Sequence, residues 1–319
     1  MRKAFISILV PTLLGSVAAL TASADTTGAT LAFYPIPALD GEPIEIVRGL
    51  DHRPYFVLQN ASSVGRLERD GQIDLYPLPT FGFPSDITLG PDGNVWFTEG
   101  NGRVGRMTPA AEITEYRYSV GDSALGITGG PDDTIWFTAV GDQVWKLRIA
   151  DGRLVHFTLP GGTFPGDITA GADGNLWFTQ SSGIGRITPD GTYTAFGVGE
   201  VTPFAITRGA DGNVWFTERF GQRVGKITPG GDFTFYPTEL HTLDSITPAA
   251  AGGLWFTSFG DDRIAHITSN GVITPLREVP GSAPTGIVAD AHGVWFLGYG
   301  NDRLYRLEFT PPPPSPSTP

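Results

Sequence analysis

Only one of the five histidines stands where acid–base chemistry is easy to write. His241 lies in the run Glu239-Leu240-His241-Thr242-Leu243-Asp244, with a carboxylate on either side. An imidazole beside carboxylates is a natural general base near neutral pH. His241 is therefore the candidate catalytic residue, although a solvated loop histidine has the same pattern. His52, His156, His266 and His292 fall at scattered positions, and no two histidines have metal-ligand spacing. No metal site is expected. The chain has no cysteine, which removes disulfides, thiol nucleophiles and thiolate zinc sites. It also has no phosphate loop, no Gly-x-Ser-x-Gly and no calcium loop.

A second group of residues recurs at fixed places in a repeating pattern. Tryptophans fall at 96, 136, 177, 215, 255 and 295, each followed by Phe. The residue three after each Trp varies: Glu99, Ala139, Gln180, Glu218, Ser258, Gly298. So does the residue three before a recurring Thr or Val: Ser85, Leu125, Gly166, Phe204, Asp244, Thr285. Variable side chains at fixed positions on a rigid frame suit binding, and this mixture of apolar and acidic groups suits a small amphipathic ligand. The candidate ligand-binding residues are Glu99, Arg103, Gln180, Glu218, Arg223, Asp244, Thr285 and Tyr299.

The frame follows from the period. The gaps between those tryptophans are 40, 41, 38, 40 and 40 residues, and 41 before Trp96 stands Tyr55-Phe56, a degenerate first copy. Within the copy at residues 84–116, Asp86-Ile87-Thr88-Leu89 reads as strand A and Asn94-Val95-Trp96-Phe97-Thr98 as strand B. Arg103-Val104-Gly105-Arg106-Met107 reads as strand C, and residues 113–116 as strand D. Asp-Gly and Pro turns separate these short β-branched and aromatic runs, which is the hairpin signal. Seven such units predict an all-β fold: a seven-bladed β-propeller of four-stranded antiparallel blades. The last copy lacks strand D. Residues 31–35 have no blade before them yet match strand D elsewhere, so they are expected to pair with 304–308 and close the ring. The repeated Trp-Phe then reads as blade-to-blade packing. The recurring strand-C bases Arg66, Arg106, Arg186 and Lys226 are expected to pair with acids of neighbouring blades.

Antiparallel topology sorts the loops onto two faces. The A–B and C–D turns, with the repeated Asp-Gly signals, share one face; the variable B–C and D–A loops share the other, where a ligand is expected. Ahead of the repeats, Met1-Arg2-Lys3, an apolar run from Phe5 to Leu20 and Ala22-Ser23-Ala24 read as a signal peptide ending at residue 24. The predicted organisation is 1–24 signal peptide, 25–309 propeller and 310–319 Pro-rich tail, in a secreted or periplasmic protein. The net charge of −12, or −14 without Arg2 and Lys3, argues against nucleic acid and anionic membrane as partners. The expected partner is a small molecule, peptide or glycan, and the expected state is a monomer.

Residues 90–99 (Gly-Pro-Asp-Gly-Asn-Val-Trp-Phe-Thr-Glu), 184–191 (Ile-Gly-Arg-Ile-Thr-Pro-Asp-Gly) and 113–116 (Ile-Thr-Glu-Tyr) resemble the virginiamycin B lyase, or streptogramin B lyase, family. The resemblance covers about residues 31–309 and rests on scaffold motifs. It implies a propeller that opens cyclic streptogramin B antibiotics by magnesium-assisted elimination across the ester. It further implies a Glu-Pro-His-Gly-Ile motif in the last blade, a Glu after that blade's Trp-Phe, and a substrate-contacting His one blade earlier. At the corresponding positions this chain has Ala283-Pro284-Thr285-Gly286-Ile287, Tyr299 and Asp244. Two function classes follow. One is a non-catalytic binding propeller without cofactor. The other is a carbon–oxygen lyase acting on a cyclic ester or streptogramin-like substrate, with a site rearranged around His241, Glu99 and Glu218; only there is magnesium expected.

Overall fold

The computed structural model describes residues 20–22, 29–197, 199 and 202–309. Seven antiparallel sheets account for them, six of four strands and one of five. Blade two is representative: strand A Pro84–Leu89, strand B Val95–Glu99, strand C Arg103–Met107 and strand D Ile113–Arg117, hydrogen-bonded in that order. The blades span residues 43–77, 84–117, 124–158, 168–196, 203–237, 243–278 and 284–309. Each strand A touches the next around the ring, and strand A of the seventh blade touches that of the first. The only helical turn among the described residues is Phe259–Asp261.

The ring closes as the orphan strand predicts. Ala29–Pro35 pairs with Arg303–Phe309 in the register Leu31↔Leu307 and Phe33↔Tyr305, two residues longer at its start than expected. The backbone of Leu20–Ala22 adds a fifth strand outside it. The rest of the expected leader and the tail at 310–319 lie outside the described residues. Among the described residues, no helix is long and apolar enough to cross a membrane.

Strand B is buried from both sides because blades stack face to face, and its two sets of alternating side chains enter different clusters. Trp96 packs with Phe137 of the next blade, Trp136 with Phe178, Trp177 with Phe216, and Trp215 with Phe256. Trp255 meets Phe296, Trp295 meets Phe56, and Tyr55 meets Phe97, which completes the circle. The Phe needs a gap on the neighbouring strand C of its own blade. Opposite Phe97 stands Gly105, where a Cβ would fall 2.0 Å from the ring. Trp145, the one Trp outside the series, occupies that position in blade three and stacks on Phe137 instead.

One expectation is corrected. The strand-C bases Arg66 and Arg106 find their acids in their own blades, Glu68 and Asp92. Their length lies over aromatic rings: Arg66 over Tyr76, Arg106 over Trp96, Arg186 over Trp177, Lys226 over Trp215. The tie to the next blade is a backbone carbonyl, from Arg66 to Pro109 and from Arg186 to Pro229. A charge stacked on a ring is placed by the ring, and what it meets in the next blade is a backbone carbonyl.

Candidate functional site

Strand A begins with a register shift in six of the seven blades, and that irregularity builds the site. In blade two the pairing jumps between Pro84 and Ile87. The strand-B threonine fills the gap: Asp86 N donates to Thr98 Oγ1 at 3.0 Å, and Thr98 Oγ1 donates to Leu125 O of the next blade at 2.8 Å. The backbone N–H of Gly126, Asp167, Ala205 and Ser245 meets Thr138, Thr179, Thr217 and Thr257 in the same way. The start of strand A thereby turns toward the axis on the loop face.

Strand-A residues line a pocket of about 610 Å³. The residues three before the recurring Thr or Val, Ser85, Leu125, Gly166, Phe204, Asp244 and Thr285, all reach it, joined by Ile44. The next position along the strand forms the floor in the first five blades, with Glu45, Asp86 and Asp167 among the small residues Gly126 and Ala205. Phe164, Phe259 and Tyr299 stand around the mouth. Phe164 is 70% exposed with φ +46°, a region a large side chain avoids. Asp142 holds it there, accepting from Phe164 N at 2.7 Å and Gly162 N at 2.9 Å.

The floor is acidic and short of solvent. Asp86 accepts from its neighbour Ile87 N and from Ile127 N of the next blade, both at 2.7 Å. Asp167 does the same with Ile168 N at 2.7 Å and Ile206 N at 2.8 Å. These carboxylates staple adjacent blades. Burial still outweighs the donors: Asp167 is pushed up to about 7. Asp86 is raised well above its ordinary value by burial and by Asp167. Glu45 is raised by burial and by repulsion from Asp86, Asp244 and Asp167. Burial lifts Asp244 to about 6, with Arg219 pulling the other way at 3.4 Å. Arg219 also lies over the Phe204 ring, 4.1 Å from its centroid.

The structure brings Gln180, Asp244, Thr285 and Tyr299 to this pocket, and it does not bring Glu99, Arg103, Glu218 or Arg223 there. The latter four sit at the ends of strands B and C, outward of strand A. Glu99 is wholly buried beneath Gly82, and burial and Glu115 push it up to about 7. Arg103 pairs with Glu115 at 3.3 Å, and Arg223 Nε donates to Glu218 at 2.6 Å. Gln180 accepts from the Tyr193 hydroxyl at 2.8 Å. His241 is 60% exposed, pairs with Asp261 at 3.1 Å and stands outside the pocket. The acids of the floor escaped the sequence reading. Their signal is an acid between a proline and an isoleucine, repeated as Pro43-Ile44-Glu45-Ile46, Pro84-Ser85-Asp86-Ile87 and Pro165-Gly166-Asp167-Ile168.

At the positions where a magnesium-bound lyase would carry its groups, Thr285 is 4% exposed and donates its hydroxyl to Pro43 O at 3.0 Å. Ala283 offers no side-chain oxygen, and the Tyr299 hydroxyl is bonded to Glu42, which with burial raises its pKa. These residues do not fit a hard cation that needs several oxygen ligands. Among the described residues, no group of three or more His, Asp or Glu side chains is arranged to hold a metal ion.

Fold and site together define an axial-pocket β-propeller, with its cavity on the variable-loop face. Residues 20–124 and 87–307 match the model of the virginiamycin B lyase family, and the chain belongs to that family. It is similar to the crystal structure of virginiamycin B lyase from Staphylococcus aureus: 32% identity, TM-score 0.83, covering 88% of this chain and 100% of that one. A catalytically inactive histidine variant of that enzyme with quinupristin aligns equally well. A virginiamycin B lyase from Nocardia farcinica (strain IFM 10152) is 29% identical over 164 residues, 48% of this chain. That stretch spans about half, 54%, of the relative's own length. An extracellular domain from B. thetaiotaomicron shares the fold alone, at 14% identity and TM-score 0.70.

Proposed function

We propose that this chain is an exported small-molecule-binding propeller that holds an amphipathic ligand in the axial pocket and does not open streptogramins. The observation that carries this reading is Thr285. At the position where the resemblance places the histidine base, a hydroxyl is buried and already donated to Pro43 O, so it serves the wall of the pocket. An alcohol in that role has no proton acceptor strong enough to act near neutral pH. The apolar mouth and polar floor match the general make-up of ligand pockets. Ala283 and Tyr299 do not supply the carboxylates that a metal-assisted elimination would need.

A second reading, a carbon–oxygen lyase with a rearranged site, is favoured by one observation. Asp167 lies in the pocket with its carboxyl poised at about 7, within range for a general base. One experiment separates the two. Titration calorimetry with quinupristin measures binding, and mass spectrometry of the recovered compound measures ring opening. Binding with the ring intact supports the binder. Efficient opening overturns it, and opening abolished by Asp167→Asn would establish the lyase.

A further inference from the structure

Four carboxylates from four blades face the pocket, and Arg219 is the one cation among its lining residues. Asp86 and Asp167 are committed to backbone N–H groups. Glu45 and Asp244 are not. Glu45 receives a long contact from the Ser245 hydroxyl at 3.4 Å, reached across Gly286, where a Cβ would lie 2.9 Å from Glu45 Oε2. Asp244 is 3% exposed and lines the cavity, where its ion-pair partner is Arg219. Its ion pair with Arg219 is long, and that guanidinium rests on Phe204. Carboxylates held by one long contact each keep acceptor capacity that a ligand's donors can fill. Above them the wall is aromatic, with Phe164, Phe204 and the Phe259–Tyr299 pair at 5.8 Å.

Resting on the small-molecule reading above, we propose that the pocket selects a protonated amine carried on a bulky apolar body. The ammonium seats on Asp244 and Glu45, and the body lies against Phe164, Phe204 and Phe259. An ammonium brings three donors and no acceptor, the complement of open carboxylate oxygens. It also relieves the repulsion among converging acids, which a neutral or anionic ligand leaves in place.

The groups that face the bound ammonium are Glu45, Asp86, Asp167, Asp244, Arg219 and Tyr299. Asp244 at about 6 and Asp167 at about 7 lose their charge in mild acid. Amine affinity should therefore rise with pH across that range.

The test uses the full chain and a matched pair, adamantylmethylamine and the neutral adamantylmethanol, titrated by calorimetry near pH 8 and near pH 5. The amine is expected to bind about tenfold tighter than the alcohol at the higher pH, with the preference largely gone at the lower. Asp244→Asn and Glu45→Gln should each abolish the preference, with a melt confirming the fold. Where a variant fails to fold, the pH comparison on the unaltered protein decides alone. Equal binding of amine and alcohol, or a preference independent of pH, or one retained in both folded variants, overturns the proposal. If the pair binds without preference, the small-molecule reading survives while this one falls. If neither member binds, the amine proposal falls, and the quinupristin titration judges the pocket separately.

Discussion

Two sets of carboxylates in this molecule behave oppositely, although both recur with the blades. Asp92, Asp173 and Asp211 sit in the A–B turns of one face. Each accepts from the Asn two residues on and from the indole N–H of its own blade's Trp, at 3.0, 3.0 and 3.1 Å. Burial opposes their charge, but those donors outweigh it and hold all three below the ordinary carboxylate range. Glu45, Asp86, Asp167 and Asp244, at the axis of the other face, are all raised. The difference is geometric. A ring keeps equivalent turn positions apart, so each acid sees only its own blade. The same ring gathers equivalent strand-A positions around the axis, where burial raises all four, and Glu45 and Asp86 also feel the repulsion of neighbouring acids.

The sharpest way to test the turn set is to remove what it serves. Trp215→Ala takes away a fully buried ring stacked on Tyr236 and is expected to cost about 3–5 kcal/mol in denaturant unfolding. Asp211→Ala strands the indole N–H and should cost about 1–3 kcal/mol near neutral pH, with ligand affinity unchanged. Because the folded pKa of Asp211 is depressed, its contribution is present above the unfolded carboxylate value of about 4 and is lost as pH falls through the folded one. Asp211→Ala should thus converge on the parent protein only in strong acid. In a Trp215→Phe background most of its effect should disappear, and an undiminished effect would show that Asp211 acts through something other than the indole.

The axial set should titrate with the opposite sign. Asp244 is raised to about 6, so the folded protein holds its proton more tightly than the unfolded chain does. Stability from this group is fully present below about pH 4 and is lost as pH rises through about 6. Measured against Asp244→Asn, which has no such proton, the parent protein should gain about 1–2 kcal/mol between pH 7 and pH 4. A flat difference across that window would mean that burial does not hold the Asp244 proton, and the contrast between the two faces would collapse.

The architecture was legible because each blade repeats the same local chemistry: Asp-Gly turns that need positive φ, met at Gly93, Gly174 and Gly212, and a strand long enough to bury Trp-Phe on both sides. The rim was legible too, since all six variable strand-A residues line the pocket. The companion set after each Trp was not, and Gln180 is its one member there. Those residues end strand B, one strand farther from the axis, where D–A loops bury them. Distance from the axis sorts the two sets, and a linear pattern of period about 40 does not carry it. Glu45, Asp86 and Asp167 were passed over for a related reason. An acid inside a short apolar strand looks like a local exception until the ring places three of them together.

The smallest predicted effect concerns two neighbours in one loop. His241 and Asp244 are three residues apart and together formed the acid–base candidate. The bulge at the start of strand A turns Asp244 into the cavity, while His241 stays 60% exposed at the outer edge of the loop. His241 still has a role there. Its backbone N and Nδ1 both meet Asp261, which also accepts from the Ser258 hydroxyl at 2.7 Å. His241→Ala removes only the ring contact and leaves the backbone one. An exposed polar contact of this kind is worth little, so the expected loss is under about 0.5 kcal/mol. Ligand affinity should stay within about twofold, against the much larger loss expected from Asp244→Asn. Parallel titrations of the two variants with the same ligand give the comparison directly. If His241→Ala abolishes binding, or abolishes a turnover found with any substrate, the working surface extends beyond the axis. The division between converging and solitary side chains would then no longer predict where function lies.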